Sequence, residues 1–499
     1  MSEKFIIAID QSTTSTSSVL IDKNGKAVDS VSIRHKQLYP KPGWVEHDPE
    51  ELYRNTLEAY RTVLKQNGID EERILVIAIT NQRETTVVWN RNSGKPVCNA
   101  MVWQCNRSKE ICEDIIENGY SWEIKEKTGY LPVPSPPAGK LRWMMENIKG
   151  AEKAAARGEL LFGTTDTWLL WKLTGGKVHA TDHSNASRSL LFNINKLEWD
   201  SVLLDLFGIP RSMMPKVCYS DDVFGYTTKE AGFSREIPIS GIMGDSHAAL
   251  FGHSCFSEGM AKATYGTGSS IMMNIGSSPI ESKYGLVTSI GWGMNGNITY
   301  VMEGNVNFSG ATLQWLVEDL ELLPDLADIE TIAEESADNA GVYFIPAFNG
   351  LGAPYWDNNA KAAIVGISRN TKKSGIVRAA LESICYQNRD ILDLMISQSG
   401  YNLAELRVDG GGSKNAFLMQ FQSDILSVPI AVSGTENTSA VGAAIMAGLG
   451  MGFWKSFDEI KGLGAPVKPY NPKMKKRVSE KLYLGWKNSI DRILTAKAN

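Results

Sequence analysis

The sequence predicts a two-domain α/β protein with a cleft between the domains, on three observations. Its 499 residues exceed what one hydrophobic core ordinarily serves, and a 43% hydrophobic fraction is enough to fill two. A strand–loop–strand pattern near the start returns in the second half of the chain. A third loop, rich in glycine, lies between a strand and a helix.

Phe5-Ile6-Ile7-Ala8-Ile9 is a short apolar, β-branched run that ends at Asp10 and empties into Gln11-Ser12-Thr13-Thr14-Ser15-Thr16. Val19-Leu20-Ile21 follows as a second strand, Lys23-Asn24-Gly25 as a hairpin turn, and residues 27–33 as a third strand. Because a strand rather than a helix follows the loop, a dinucleotide-binding fold is disfavoured. The P-loop signature G-x-x-x-x-G-K-[ST] does not occur. The apolar stretch 239–243 closes on Gly244 and Asp245, with a helix expected from Ala248. The opening pattern then recurs: a strand over 260–265 enters Gly266-Thr267-Gly268-Ser269-Ser270 and continues into Ile271-Met272-Met273. Helical spacing covers 375–395. Leu406-Arg407-Val408 precedes Gly410-Gly411-Gly412 and a helix over 415–426. A last helix over 441–449 is rich in small residues suited to close packing, with Thr438 and Ser439 as candidate caps. The domain boundary is placed near residue 253, giving domains 1–253 and 254–499.

With 51 basic and 56 acidic residues, a net charge of −5 and no basic stripe, nucleic acid is excluded as a partner. The start of the chain is polar and lacks a long apolar segment, which predicts a cytoplasmic protein without membrane insertion. The six cysteines, at 98, 105, 112, 218, 255 and 385, form no C-x-x-C pair and read as free thiols. His179 and His183 are four apart, but residues 182–185 read as a turn, so no helix aligns them as metal ligands.

Phosphoryl transfer needs donors around the phosphates, a metal ion, and a carboxylate to take the proton of the attacking hydroxyl. Asp10, Ser12, Thr13 and Thr14 offer an acid for hydrated Mg²⁺ together with hydroxyls and N–H groups, while Gly266 and Thr267 offer a second backbone edge for ATP. Each loop alone also reads as an ordinary turn; their combination points to this chemistry. Asp245 has two readings on the residues alone, a general base or the N-cap of the helix after it.

The ordered set Gly43-Trp44-Val45-Glu46-His47-Asp48-Pro49, Thr80-Asn81-Gln82-Arg83-Glu84-Thr85-Thr86, Trp103-Gln104-Cys105, Gly163-Thr164-Thr165-Asp166-Thr167-Trp168, Ser184-Asn185-Ala186-Ser187-Arg188 and Gly350-Leu351-Gly352-Ala353-Pro354-Tyr355-Trp356-Asp357 resembles the FGGY carbohydrate kinases, and among them the glycerol kinases, from Lys4 to about Arg492. The resemblance implies two ribonuclease-H-like domains of the actin type around a catalytic cleft. It implies ATP-dependent phosphorylation of a primary hydroxyl of glycerol, or of a close small polyol, in a dimer or tetramer. Asp245 then becomes the base, and Arg83, Glu84 and Trp103 the polyol contacts. Thr13 and Thr14 face the γ-phosphate. Gly266, Thr267, Gly310, Gln314, Gly411 and Asn415 contact the nucleotide, and Asp10, with Asp245, holds Mg²⁺ through water. Without the motif, Arg83 and Glu84 also read as a surface pair and Trp103 as core.

Three pocket positions depart from the glycerol-kinase pattern. Ser135 and Ser270 stand where aromatic side chains are usual, and Ser246 stands where a glutamine follows the base. Losing two rings enlarges the pocket, and new hydroxyls suit additional substrate hydroxyls. The alternative expectation is therefore a larger polyol or ketose, of the erythritol, xylitol, ribulose or xylulose type, unless neighbouring side chains repack. A binding protein that kept the fold and lost turnover is a further alternative, disfavoured by the intact acids and phosphate-loop hydroxyls.

Overall fold

Two mixed sheets, each begun by an antiparallel hairpin and continued by parallel strands, build the two α/β domains of the computed structural model, which describes residues 3–460, 463 and 468–495. Met1 and Ser2, part of the polar start, lie outside the described residues. The first sheet has the order β5-β6-β4-β1-β2-β3. It comprises β1 (Phe5–Gln11), β2 (Ser15–Ile21), β3 (Ala27–Arg34), β4 (Ile74–Asn81), β5 (Gly225–Tyr226) and β6 (Pro238–Gly244). β1 is antiparallel to β2 and parallel to β4, and β6 is parallel to β4.

The second sheet repeats the scheme in the order β9-β10-β8-β7-β11-β12-β13. Its strands are β7 (Ala261–Tyr265), β8 (Ser269–Gly276), β9 (Val287–Met294), β10 (Asn297–Val306), β11 (Leu406–Asp409), β12 (Ile430–Val432) and β13 (Lys468–Tyr470). β7 is antiparallel to β8 and parallel to β11, as β1 is to β2 and β4. The duplication expected from the two strand–loop–strand patterns is therefore present.

Helix α1 (Pro49–Asn67) shows how local chemistry sets the ends. Asp48 caps it by accepting the Glu50 N–H, Pro49 occupies its first turn, and Gly68 leaves it at φ +60°. Next come α2 (Pro137–Asn147), α3 (Asp245–Gly252), α4 (Gly310–Glu318), α5 (Lys373–Ser399), α6 (Ala416–Leu426) and α7 (Thr438–Gly450). α3 begins at Asp245 rather than Ala248. Gly244, extended at φ −62° and ψ 146°, is the residue before the helix, so Asp245 occupies the first helical turn and not the cap. α7 is preceded by Asn437, and Thr438 lies inside its first turn, donating to the Thr435 carbonyl at 3.2 Å. Where residues 182–185 read as a turn, His183–Ala186 form a single short helix, because Asp182 accepts the Ser184 and Asn185 N–H groups. His179 stays outside it and bonds the Phe162 carbonyl.

α3 and α7 cross in the shared core beside the first sheet, among Ile6, Ala8, Val76, Met243, Phe251, Met272 and Trp292. Their small residues make this possible: a Cβ on Gly442 would stand 1.8 Å from the Ala248 carbonyl oxygen, and one on Gly252 would stand 2.4 Å from that of Thr438. Among the described residues no helix is long and apolar enough to cross a membrane.

Candidate active site

The parallel strands β1, β4 and β6 end together. Asp10 lies opposite Thr80, Gln11 opposite Asn81, and Gly244 also opposite Asn81. Their carboxyl ends therefore open at one edge, the place where α/β sheets bind ligands. β1 leads into Ser12-Thr13-Thr14, β4 into Gln82-Arg83-Glu84, and β6 into Asp245. Topology thus brings together acids and a base that are 235 positions apart at most in the chain.

Arg83 is the hub. Its Nε donates to Asp245 Oδ1 at 3.1 Å, its Nη2 to Ser246 Oγ at 3.2 Å, and Nη1 and Nη2 grip both Glu303 carboxylate oxygens at 2.7 and 2.8 Å. The Ser246 N–H also donates to Asp245 Oδ1, at 2.6 Å. No protein hydrogen bond falls on Asp245 Oδ2 among the described residues, so this half-exposed carboxylate keeps one oxygen for the cleft. Arg188 makes a parallel pair: Nε and Nη2 meet Glu84 Oε1 at 2.9 and 2.6 Å, and Nη1 lies 3.3 Å from Glu303 Oε2. Glu84 is buried at φ +70°, left-handed backbone that a side-chain-bearing residue rarely adopts. Arg83 and Glu84 are thus not a surface pair. Trp103 is not core: the residue is 40% exposed, and its Nε1 donates to Thr13 Oγ1 at 3.1 Å.

The first loop is braced from behind. Gln37 Nε2 donates to the Thr13 carbonyl at 2.8 Å and the His35 N–H to that of Thr14 at 3.2 Å, while the Ser12 N–H and Oγ both go to the Ser15 carbonyl. Thr14 stays exposed. Across the cleft, β7 ends in the Gly266–Gly268 turn, against which α4 starts. The Gly310 N–H meets the Gly266 carbonyl and the Ala311 N–H that of Thr267, both at 3.0 Å, and a Cβ on Gly310 would come within 2.6 Å of the Gly266 oxygen. Gln314 is exposed one turn further on. β11 ends at Asp409, and Gly410, at φ +88°, packs so tightly on Tyr265 that a Cβ there would meet its carbonyl oxygen at 2.5 Å. Gly411 faces open space. Asn415 serves as the N-cap of α6, accepting the Leu418 N–H at 2.8 Å.

Burial, reinforced by the charge of Asp245, pushes the Asp10 carboxyl up to about 7. Asp10 Oδ1 is buried without a hydrogen-bond partner. A buried carboxylate that lacks donors and lies near a second acid suits a hydrated cation, so these residues fit Mg²⁺. Burial would also raise the Glu303 carboxyl, but Arg83 and Arg188 outweigh it and hold it below the usual carboxylate range.

The three serines fall differently. Ser246 is tied to Arg83. Ser135 Oγ lies 3.3 Å from the Tyr130 hydroxyl, and the Tyr130 ring stacks against Arg188 with its guanidinium carbon 4.4 Å from the ring centre. A phenol from a neighbouring position thus occupies the Ser135 side. Ser270 has no such replacement: its Oγ is buried without a partner, and its cross-strand neighbour is the exposed Asn305. Glu303 and Arg188 were missed as site residues. The available signal was a lone acid inside the apolar run Val301-Met302-Glu303-Gly304 and a lone arginine closing a hydroxyl-rich motif.

The model of the FGGY family of carbohydrate kinases matches residues 5–252 for its N-terminal domain and 261–451 for its C-terminal domain. Glycerol kinase 2 of Thermotoga maritima is 48% identical over 491 residues, covering 98% of this chain and 99% of its own. The glycerol kinase of Pseudothermotoga lettingae is 49% identical over 495 residues, covering 99% of each chain. The crystal structure of Plasmodium falciparum glycerol kinase with ADP superimposes with a TM-score of 0.95 at 35% identity, covering 99% of both chains. Matched by both domain models and by relatives along nearly its whole length, the chain belongs to the FGGY family of carbohydrate kinases.

Proposed function

We propose that this kinase transfers the γ-phosphoryl group of ATP to a primary hydroxyl of glycerol, forming sn-glycerol 3-phosphate. The observation that carries the reading is the Arg83–Asp245 pair at the common ends of β1, β4 and β6, in a chain whose full-length relatives are named glycerol kinases. Asp245 Oδ2 takes the proton of the attacking hydroxyl. Arg83 and Glu84 hold the other hydroxyls, since charged donors and acceptors form the strongest hydrogen bonds to an uncharged polyol. The exposed Trp103 face packs on its carbons. Ser12, Thr13 and Thr14 face the γ-phosphate, and Gly266, Thr267, Gly310, Gln314, Gly411 and Asn415 line the nucleotide. Asp10, with Asp245 through water, holds the Mg²⁺ that neutralises phosphate charge. The domain boundary falls near residue 253, and the enzyme works in the cytoplasm as a dimer or tetramer without binding nucleic acid.

A second reading, a four- or five-carbon polyol or a ketose, is favoured by Ser270 and Asn305. They are direct partners on β8 and β10, two residue pairs from Met272 and Glu303 and therefore on the same sheet face, so unpaired polar groups continue outward from Arg83. Tyr130 favours glycerol on the Ser135 side. ATP consumption with Mg²⁺ against glycerol, dihydroxyacetone, erythritol, xylitol, ribitol, ribulose and xylulose decides: the highest kcat/KM for glycerol supports the first reading, and a preference for a longer acceptor replaces it with the second.

A further inference from the structure

Lys140 lies in the first turn of α2 with its side chain fully buried. Burying an ammonium is unfavourable unless specific acceptors hold it. Two backbone carbonyls do so here: Nζ donates to the Glu84 oxygen at 3.1 Å and to the Ser135 oxygen at 2.5 Å. Those carbonyls belong to separate walls of the pocket, the Arg83–Glu84 turn and the proline-rich 132–137 segment.

The left-handed backbone at Glu84 sends its carbonyl to Lys140, where the Thr86 hydroxyl also donates at 3.0 Å, and its carboxylate to Arg188. From Arg188 the contacts run without a gap to Glu303, from Glu303 to Arg83, and from Arg83 to Asp245. Every member except Asp245 is largely buried, so a shift at one end displaces close-packed charged neighbours rather than relaxing into water.

We propose that Lys140 is a positioning residue for the acceptor: by tying the Glu84 turn to the Ser135 segment, it holds the Glu84 carboxylate, braced by Arg188, where it grips the polyol. This rests on the polyol reading of the site. Burial, opposed by the Glu84 carboxylate, lowers the Lys140 ammonium to about 7. The other groups facing it are Cys105, Arg107 and Cys112, and burial pushes the Cys112 thiol up to about 11.

The test begins with acceptor saturation by the wild-type enzyme. Absence of acceptor-dependent turnover with every polyol would overturn the polyol reading and this proposal with it. Given turnover, Lys140→Met, which keeps the length and removes the donors, is expected to raise the acceptor KM about 10- to 100-fold, the size of one lost charged hydrogen bond, with the ATP KM unchanged. Lys140→Ala is expected to recover acceptor affinity when propylammonium is added and not when sodium is. An unchanged acceptor KM, or equal increases in both KM values, overturns the assignment and leaves the polyol reading intact. If these variants fail to fold, the wild type still decides: its acceptor KM is expected to rise as pH climbs through about 7, while titration of Asp10 acts on metal and ATP. An acceptor KM flat from pH 6 to 8.5 contradicts the proposal.

Discussion

Replacing Glu303 by glutamine isolates the charge at the centre of the pocket. The side chain has no solvent exposure and is shared by Arg83, at 2.7 and 2.8 Å, and Arg188, at 3.3 Å. Glutamine keeps the shape and one acceptor oxygen but leaves two buried guanidinium groups to share Glu84 and the half-exposed Asp245. Removing one partner of a buried ion pair costs about 3–5 kcal/mol. For a domain of this size that lowers Tm by roughly 10 °C. The pH dependence identifies the cause. Glu303 is held below the unfolded carboxylate value of 4.5, so its contribution is complete above that value and is lost as pH falls toward the folded one. Differential scanning calorimetry of wild type and Glu303→Gln from pH 3 to 8 is expected to give a gap constant above pH 5 that narrows progressively as pH falls from about 4.5 to 3. A gap of the same size at every pH would refute the electrostatic account and leave packing as the cause. The acceptor KM of the variant is also expected to rise, because Arg83 loses its anchor.

Asp10 titrates in the opposite sense. Its folded value, about 7, lies above the unfolded 3.8, so its contribution is present below pH 4 and lost as pH rises through 7. Asp10→Asn is therefore expected to raise Tm at pH 8 without metal, to abolish the further rise caused by Mg²⁺ in the wild type, and to lower kcat; calorimetry with and without Mg²⁺ checks this. Gly442→Ala places a Cβ 1.8 Å from the Ala248 oxygen and forces α7 off α3. A loss of at least ~1–3 kcal/mol in urea unfolding is expected, with a fall in kcat, because α3 carries Asp245. Ser270→Phe fills the space beside Asn305 and is expected to lower kcat/KM for erythritol relative to glycerol by about 10- to 200-fold; an unchanged ratio places the acceptor elsewhere.

Much of this architecture was legible in the residues. The runs before Asp10 and Gly266 are apolar and β-branched, the loops after them polar, and this local contrast marks two strand–loop–strand units and the loops proposed to hold the phosphates. The small residues over 441–449 announced a close helix crossing, which Gly442 and Gly252 provide. What failed was local too: Asp245 reads as a cap because acids favour that position, but Gly244 takes it, and the carboxylate turns to Arg83. The pairings that build the pocket were not legible. Glu303 meets Arg83 across 220 positions, and Tyr130 lies beside Ser135 with its ring against the Arg188 guanidinium, 58 positions away. Such contacts depend on the register of two sheets, which no short window of sequence contains.

The central claim is that Asp245 activates the acceptor hydroxyl in a polyol kinase. Glycerol-dependent transfer of the γ-phosphoryl group of ATP, measured for wild type and Asp245→Asn with ATP binding followed in parallel, tests it most directly. The account predicts saturable transfer by the wild type and a loss of about 10²- to 10⁴-fold in kcat for the variant, with nucleotide affinity retained. Transfer by Asp245→Asn at a rate near that of the wild type would contradict it.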